Sequence, residues 1–245
     1  MKKSALIDLY TREGEELLRL REERPDYQPW NVYPRPRLKR TSWLNLNGTW
    51  DFQVSAEGTR PQQFEETILV PFPPQSLLSG IHRDIPEEQY LFYRRKLRLS
   101  DDLWPKERVD MESNRVLLHV GAVDQMAAIW VDGTMVGEHI GGYEHFTLDI
   151  TDALRKDNED HLDLYAEHEI VIRGVDHLGN YILPYGKQTN KRGGMWYTPV
   201  SGIWQTVWLE VVPEQYIRDL TVTNGSDWVE ISADIIDTAA TGEAG

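Results

Sequence analysis

The spacing of hydrophobic residues changes near residue 40. Before it, Leu6, Ile7, Leu9, Tyr10, Leu17, Leu18 and Leu20 recur at loosely helical intervals, with Gly14 interrupting the run. From Arg24 to Arg40 the text reads "RPDYQPWNVYPRPRLKR", and its four prolines favour an extended arm. Beyond residue 40 the period becomes two, as expected of half-buried strands. "TWDFQV" alternates; so does "AAIWV", followed by Asp132-Gly133 and "TMVGEH". Asp-Gly between two alternating runs predicts a hairpin, because a type I′ turn needs positive φ at both central residues. "HFTLDI", "HLDLYAEHEIVI" and "IWQTVWLEVV" read as further strands. In the last, Ile203, Gln205, Val207 and Leu209 are expected on one face and Trp204, Thr206, Trp208 and Glu210 on the other. A helical turn is expected near Thr151 to Lys156, capped by Thr151 or Asp152.

Many short strands separated by turn signals imply an all-β, jelly-roll-like antiparallel sandwich. No β-α-β alternation is present, which excludes Rossmann and TIM-barrel architectures. Pro213 closes the set. After it, "YIRDLTVTNGSDWVEISADII" reads as two more strands, too few for a stable sheet of their own. The expected organisation is therefore an N-terminal helical and extended arm (1–40), a sandwich (41–213) and the beginning of a truncated immunoglobulin-like domain (214–245).

Composition narrows the function. The net charge is −14, which opposes phosphate backbones and anionic lipid surfaces but does not penalise a neutral ligand such as a sugar. There is no cysteine, hence no disulfide or thiolate chemistry. The apolar patch at the N-terminus stops at Asp8, too short for a secretory leader, and no run reaches the ~20 apolar residues of a membrane span. A soluble, cytoplasmic protein is expected, with no nucleic-acid or membrane partner. The seven histidines lack zinc-like spacing, no metal site is assigned, and no nucleophile elbow or phosphate-binding glycine loop occurs. No cofactor is expected; a loop-bound alkali or alkaline-earth ion is left open, unspecified by any motif.

Six stretches then occur in a collinear order: "WLNLNGTWDF", "VPFPPQSLLSGI", "LFYRRKLRL", "VGAVDQMAAIWVDGTMVGEHIGGYEHFTLDIT", "PYGKQ" and "YTPVSGIWQTVWLE". Together, from about Tyr33 to Val212, they resemble the N-terminal sugar-binding domain of family 2 glycoside hydrolases, the β-galactosidase and β-glucuronidase group. The resemblance implies a sandwich whose loops reach over the mouth of a TIM barrel that carries two catalytic glutamates. None of that barrel is in these residues, so no catalytic residue is assigned here and the chain alone is expected to be inactive. The implied partners are a β-galactoside or related neutral glycoside, the barrel and immunoglobulin-like domains of the same chain, and a second copy in a homo-oligomer.

By the same resemblance, Asp176 is the first candidate for sugar contact, since a carboxylate accepts two hydrogen bonds from neighbouring hydroxyls. Tyr185 departs from the family's local pattern. Arg83 and Asp84 lie on a second loop implied to face the pocket, and Trp196 and Tyr197 are the aromatics best placed to approach a ligand. Against each stands a plainer reading: solvated loop residue, turn former or packing aromatic. Lys187 and Gln188 are expected to hold the loop's conformation, Asp124 to cap backbone N–H groups, and Trp204 and Trp208 to serve in packing. The competing functions are a free-standing carbohydrate-binding module and an interaction sandwich without a sugar role.

Overall fold

The computed structural model describes residues 12–24, 26–99, 103, 114–155, 166–178 and 182–238. Helix α1 (Arg12–Glu23) precedes the arm. It is followed by β1 (Trp43–Asn45), β2 (Gly48–Ser55), β3 (Glu66–Val70), β4 (Tyr90–Arg98), β5 (Asn114–Val120), β6 (Val123–Asp124) and β7 (Met126–Val131). Then come β8 (Thr134–Ile140), β9 (Phe146–Asp149), a short α2 (Thr151–Leu154), β10 (Glu167–Val175), β11 (Gly202–Ile203) and β12 (Val207–Pro213). A final hairpin pairs β13 (Gln215–Asn224) with β14 (Val229–Asp237). The start of the expected helical run, Leu6 to Tyr10, and the first stretch of the expected strand, "HLDLY", lie outside the described residues.

Two antiparallel sheets face each other, ordered β3-β2-β4-β10-β7-β8 and β1-β12-β5-β9, with the small β11-β6 pair bridging at one end. The all-β sandwich expected from the alternating pattern is what forms. Alternation supplies the reason: Val116, Leu118 and Val120 of β5 and Val207, Leu209 and Val211 of β12 turn inward to meet Phe52, Leu91, Tyr93, Ile129, Ile170 and Ile172. Each such side chain taken from water contributes about 1.5–3 kcal/mol before the entropy of ordering is subtracted. Asp132 and Gly133 take φ of 48° and 83°, as the type I′ hairpin requires. On the outer face of the larger sheet, Arg94 pairs with Asp51 at 2.6 Å, and Arg173 lies over the rings of Tyr90 and Trp130.

Two local expectations are corrected. The run "IWQTVWLEVV" is not one strand. It breaks after Ile203, where Gly121 N donates to Thr206 O and Trp204 N to Ala122 O, and the chain crosses from the β6 partner to β1 and β5. Trp204 and Trp208 therefore do not share a strand face. Trp204 Nε1 donates to Gly142 O beside Tyr143, whereas Trp208 stacks on His119 at 4.7 Å. The start of α2 is served by neither Thr151 nor Asp152 as cap. Asp149 Oδ1 accepts from Thr151 N at 3.0 Å, while the Thr151 hydroxyl accepts from Val116 N and so ties the turn to β5.

Candidate functional site

Strand register places four connections at one end of the larger sheet. Val175, the last residue of β10, opposes Tyr90 at the start of β4 and Met126 at the start of β7, and Met126 opposes Ile140 at the end of β8. Residues 71–89, 121–125, 141–145, 176–178 and 182–201 converge there, tied by Gln75 to Ser201, Asn190 to Glu87 and Arg192 to Asp84.

Beneath the longest of these loops lie two carboxylates. Asp176 follows directly from β10 and is only 7% exposed; Ser201 Oγ donates to its Oδ2 at 2.9 Å. Ser201 is itself held by Gln75, whose Nε2 donates to Ser201 Oγ at 2.9 Å and whose Oε1 accepts from Ser201 N at 3.2 Å. Asp124, the last residue of β6, is 3% exposed and accepts from Gln188 Nε2 at 3.2 Å. Gln188 also donates to Tyr143 OH at 3.0 Å, and its carbonyl accepts from Val200 N. Gly142 is packed so closely that a Cβ there would lie 2.5 Å from Asp124 Oδ1.

This environment raises both acids. Burial pushes Asp124 up to about 7, with repulsion from Asp176 adding to it and the Gln188 hydrogen bond opposing it. Burial pushes Asp176 up to about 6; the Ser201 hydrogen bond and His177 oppose the rise, and Glu87 adds to it. The pair can hold or release protons near neutral pH and can accept hydrogen bonds from hydroxyls that replace their protein donors.

The other candidates lie around this cluster, not within it. Arg83 turns outward and forks onto Glu66 at 2.7 and 2.6 Å. Asp84 pairs with Arg192 and so clasps the 182–201 loop to the 71–89 loop. Trp196 and Tyr197 are 40% and 62% exposed, at the tip of a small ladder in which Tyr197 N donates to Lys187 O and Thr189 N to Tyr197 O. Gln188 holds the loop, as expected. The expected capping role of Asp124 is replaced by this buried contact with Gln188. The network of Asp124, Gln75, Ser201 and Tyr143 was not read from sequence. Its one visible signal is an acid and an amide, Asp124-Gln125, inside the apolar run "GAVDQMAA". Two cavities of about 520 and 410 Å³ lie elsewhere, where the arm meets the smaller sheet and the β13–β14 hairpin, and none of the five sequence candidates lines either. Among the described residues, no group of three or more His, Asp or Glu side chains is arranged to hold a metal ion, and no helix is long and apolar enough to cross a membrane.

No protein-family model matches the chain. It is 25% identical over 222 residues to the β-glucuronidase of Canis lupus familiaris, an alignment that covers 80% of this chain and 32% of that protein. It is 27% identical over 147 residues to the β-galactosidase of Thermoanaerobacter pseudethanolicus, covering 57% of this chain and 16% of the relative. Among solved structures, the β-glucuronidase of Lactobacillus rhamnosus superposes with a TM-score of 0.58 at 19% identity, covering 83% of this chain and 34% of that one, a likeness of fold. The chain thus spans about a third of the length of the dog enzyme. In sequence and in fold, it fits the N-terminal domain of a family 2 glycoside hydrolase of the β-glucuronidase and β-galactosidase type.

Proposed function

We propose that this chain is the non-catalytic N-terminal part of a retaining, β-galactosidase-like glycosidase. In this reading its loops help shape a sugar pocket that a catalytic barrel completes. Residues 1–40 act as an arm, 41–213 as the sugar-binding-type sandwich, and 214–245 as the start of an immunoglobulin-like unit. The supporting observation is the convergence of four connections, all of them carrying residues of the collinear motifs, on the buried carboxylates Asp124 and Asp176. The ligand is a β-galactoside or related neutral glycoside, met by Asp176, with Trp196 and Tyr197 as the exposed aromatics beside it and Asp84 and Arg83 behind. No cofactor takes part.

Asp176→Ala in the full-length enzyme tests this. Loss of a charged hydrogen-bonding group to substrate is expected to lower kcat/KM about 10–100-fold. Unchanged kcat/KM would leave the sandwich a purely structural part. The burial of Asp176 against Ser201 favours that second reading, which the same variant decides. The 245 residues alone should show no turnover of a chromogenic galactoside and no galactose binding by calorimetry; tight binding would instead support a free-standing carbohydrate module. The exposed apolar side chains of the terminal hairpin, Val222, Trp228, Val229, Ile231 and Ile235, support self-association into a homo-oligomer, which sedimentation at several concentrations would detect.

A further inference from the structure

The two cavities where the arm, the smaller sheet and the β13–β14 hairpin meet adjoin one another, for Arg35, His145 and Asp219 line both. Their volumes of about 520 and 410 Å³ each fall in the range of about 300–1,000 Å³ typical of small-molecule sites. Their walls are held from three sides. Arg35 Nη2 donates to Arg218 O at 2.6 Å and Arg40 Nη2 to Ile217 O, tying the arm to the hairpin, and both guanidinium groups also reach Glu210 of β12.

The lining decides the chemistry. In the larger cavity three arginines, Arg35, Arg40 and Arg218, stand against three aspartates, Asp149, Asp219 and Asp234, so its walls carry no net charge with which to draw in an ion. Arg218 is already paired with Asp234, and Asp149 with Arg115. Among the described residues, Asp219 accepts only from the adjoining Leu220 N and keeps lone pairs for a donor from outside. His119, 3% exposed, has its Nδ1 taken by the Thr147 hydroxyl at 2.8 Å; its Nε2, although 3.3 Å from Glu210 Oε2, lacks the alignment of a hydrogen bond. A buried polar atom left in that state is costly, and a ligand that supplies a partner relieves the cost. Hydroxyls suit such walls, because each both donates and accepts. Phe146 and Tyr216 in the larger cavity, with Pro34, Pro36 and Trp208 in the smaller, add apolar surface for the C–H faces of a sugar ring.

We propose that the joined cavities form a carbohydrate site, lined by neither Asp124 nor Asp176, that takes a neutral oligosaccharide of several hexose units. The length follows from the shape: a single hexose occupies one cavity but cannot span both, and so meets only part of the lining. Titration of the 245-residue chain, followed by amide chemical shifts, tests this with galactotetraose, cellotetraose and mannotetraose as probes and inorganic phosphate as the anionic control. At least one tetraose should saturate with a Kd of about 1 mM or tighter and move the amides of 145–149 and 216–219, while those of Gln188 and Ser201 stay in place. Asp219→Ala removes an exposed acceptor common to both cavities and should weaken binding about tenfold or more, whereas Asp176→Ala should bind as the wild type does. If Asp219→Ala does not fold, His145→Ala, also exposed and common to both cavities, decides in its place. Three tetraoses without a saturable shift overturn the proposal, as does wild-type affinity in these junction variants. Shifts confined to the surroundings of Gln188 and Ser201 would assign the sugar to the loop end instead, and a response to phosphate alone would make the junction an anion site; either result ends the proposal.

Discussion

Glu210 sits without solvent exposure in the outer face of the smaller sheet, yet it is a carboxylate within the apolar run "VWLEVV". Its partners explain its presence. Tyr33 OH donates at 2.6 Å, Trp208 Nε1 at 2.9 Å and Arg40 Nε at 3.0 Å, with Arg35 at 3.5 Å and His119 at 3.3 Å. Burial alone would raise its pKa, but the adjoining His119 and the donors Tyr33 and Trp208 more than offset this and hold it at about 2. The arm is thereby fastened to β12 through one buried acid. Glu210→Ala leaves Arg35 and Arg40 uncompensated and is expected to cost about 3 kcal/mol in denaturant unfolding. Tyr33→Phe removes one charge-assisted hydrogen bond and should cost about 1.5 kcal/mol. Equal effects of the two variants would contradict the role of Glu210 as a hub.

At the scale of elements, the β6–β11 bridge locks the end of the sandwich on which the long loop rests. Gly202, the first residue of β11, takes φ of 70°, and a Cβ there would stand 2.2 Å from the hydroxyl oxygen of buried Tyr93. Gly202→Ala combines a disfavoured backbone with a clash against a fully buried ring. It should destabilise by about 2 kcal/mol or more, read as a lower urea midpoint. Gly133→Ala is the contrast: nothing lies within 4 Å of its Cβ position, so its cost comes only from the φ of 83° and should be about 1 kcal/mol. The hairpin around Gly133 was legible from two residues, because its geometry is local. The break after Ile203 was not, because the alternation of "IWQTVWLEVV" carries no mark of which neighbours each half will find.

For the whole molecule, two opposed proton linkages set the pH of greatest stability. Glu210, depressed to about 2, stabilises fully above the unfolded value of 4.5, and its contribution is lost as pH falls through 2. Asp124 and Asp176, raised to about 7 and 6, stabilise fully below 3.8, and their contribution is lost as pH rises through those values. With a net charge of −14 adding self-repulsion at neutral pH, thermal stability should peak at roughly pH 4–4.5 and decline on both sides. Scanning calorimetry across pH 3–8 checks this. In Asp124→Asn/Asp176→Asn the neutral-pH decline should shrink while the acid limb stays, and an unchanged neutral limb would count against the assignment.

Alternation, turn residues, the proline-rich arm and six collinear motifs were enough to determine an all-β sandwich and its kinship with glycosidase N-terminal regions. These signals are local or additive along the chain, and each residue carries its share wherever its neighbours end up. The polar architecture was decided only in three dimensions. Asp124 and Asp176 lie 52 positions apart and Gln75 is 126 from Ser201; Tyr33 is 177 from Glu210. A buried carboxylate is defined by the donors and charges that folding brings to it from distant strands, and no spacing in one chain announces them.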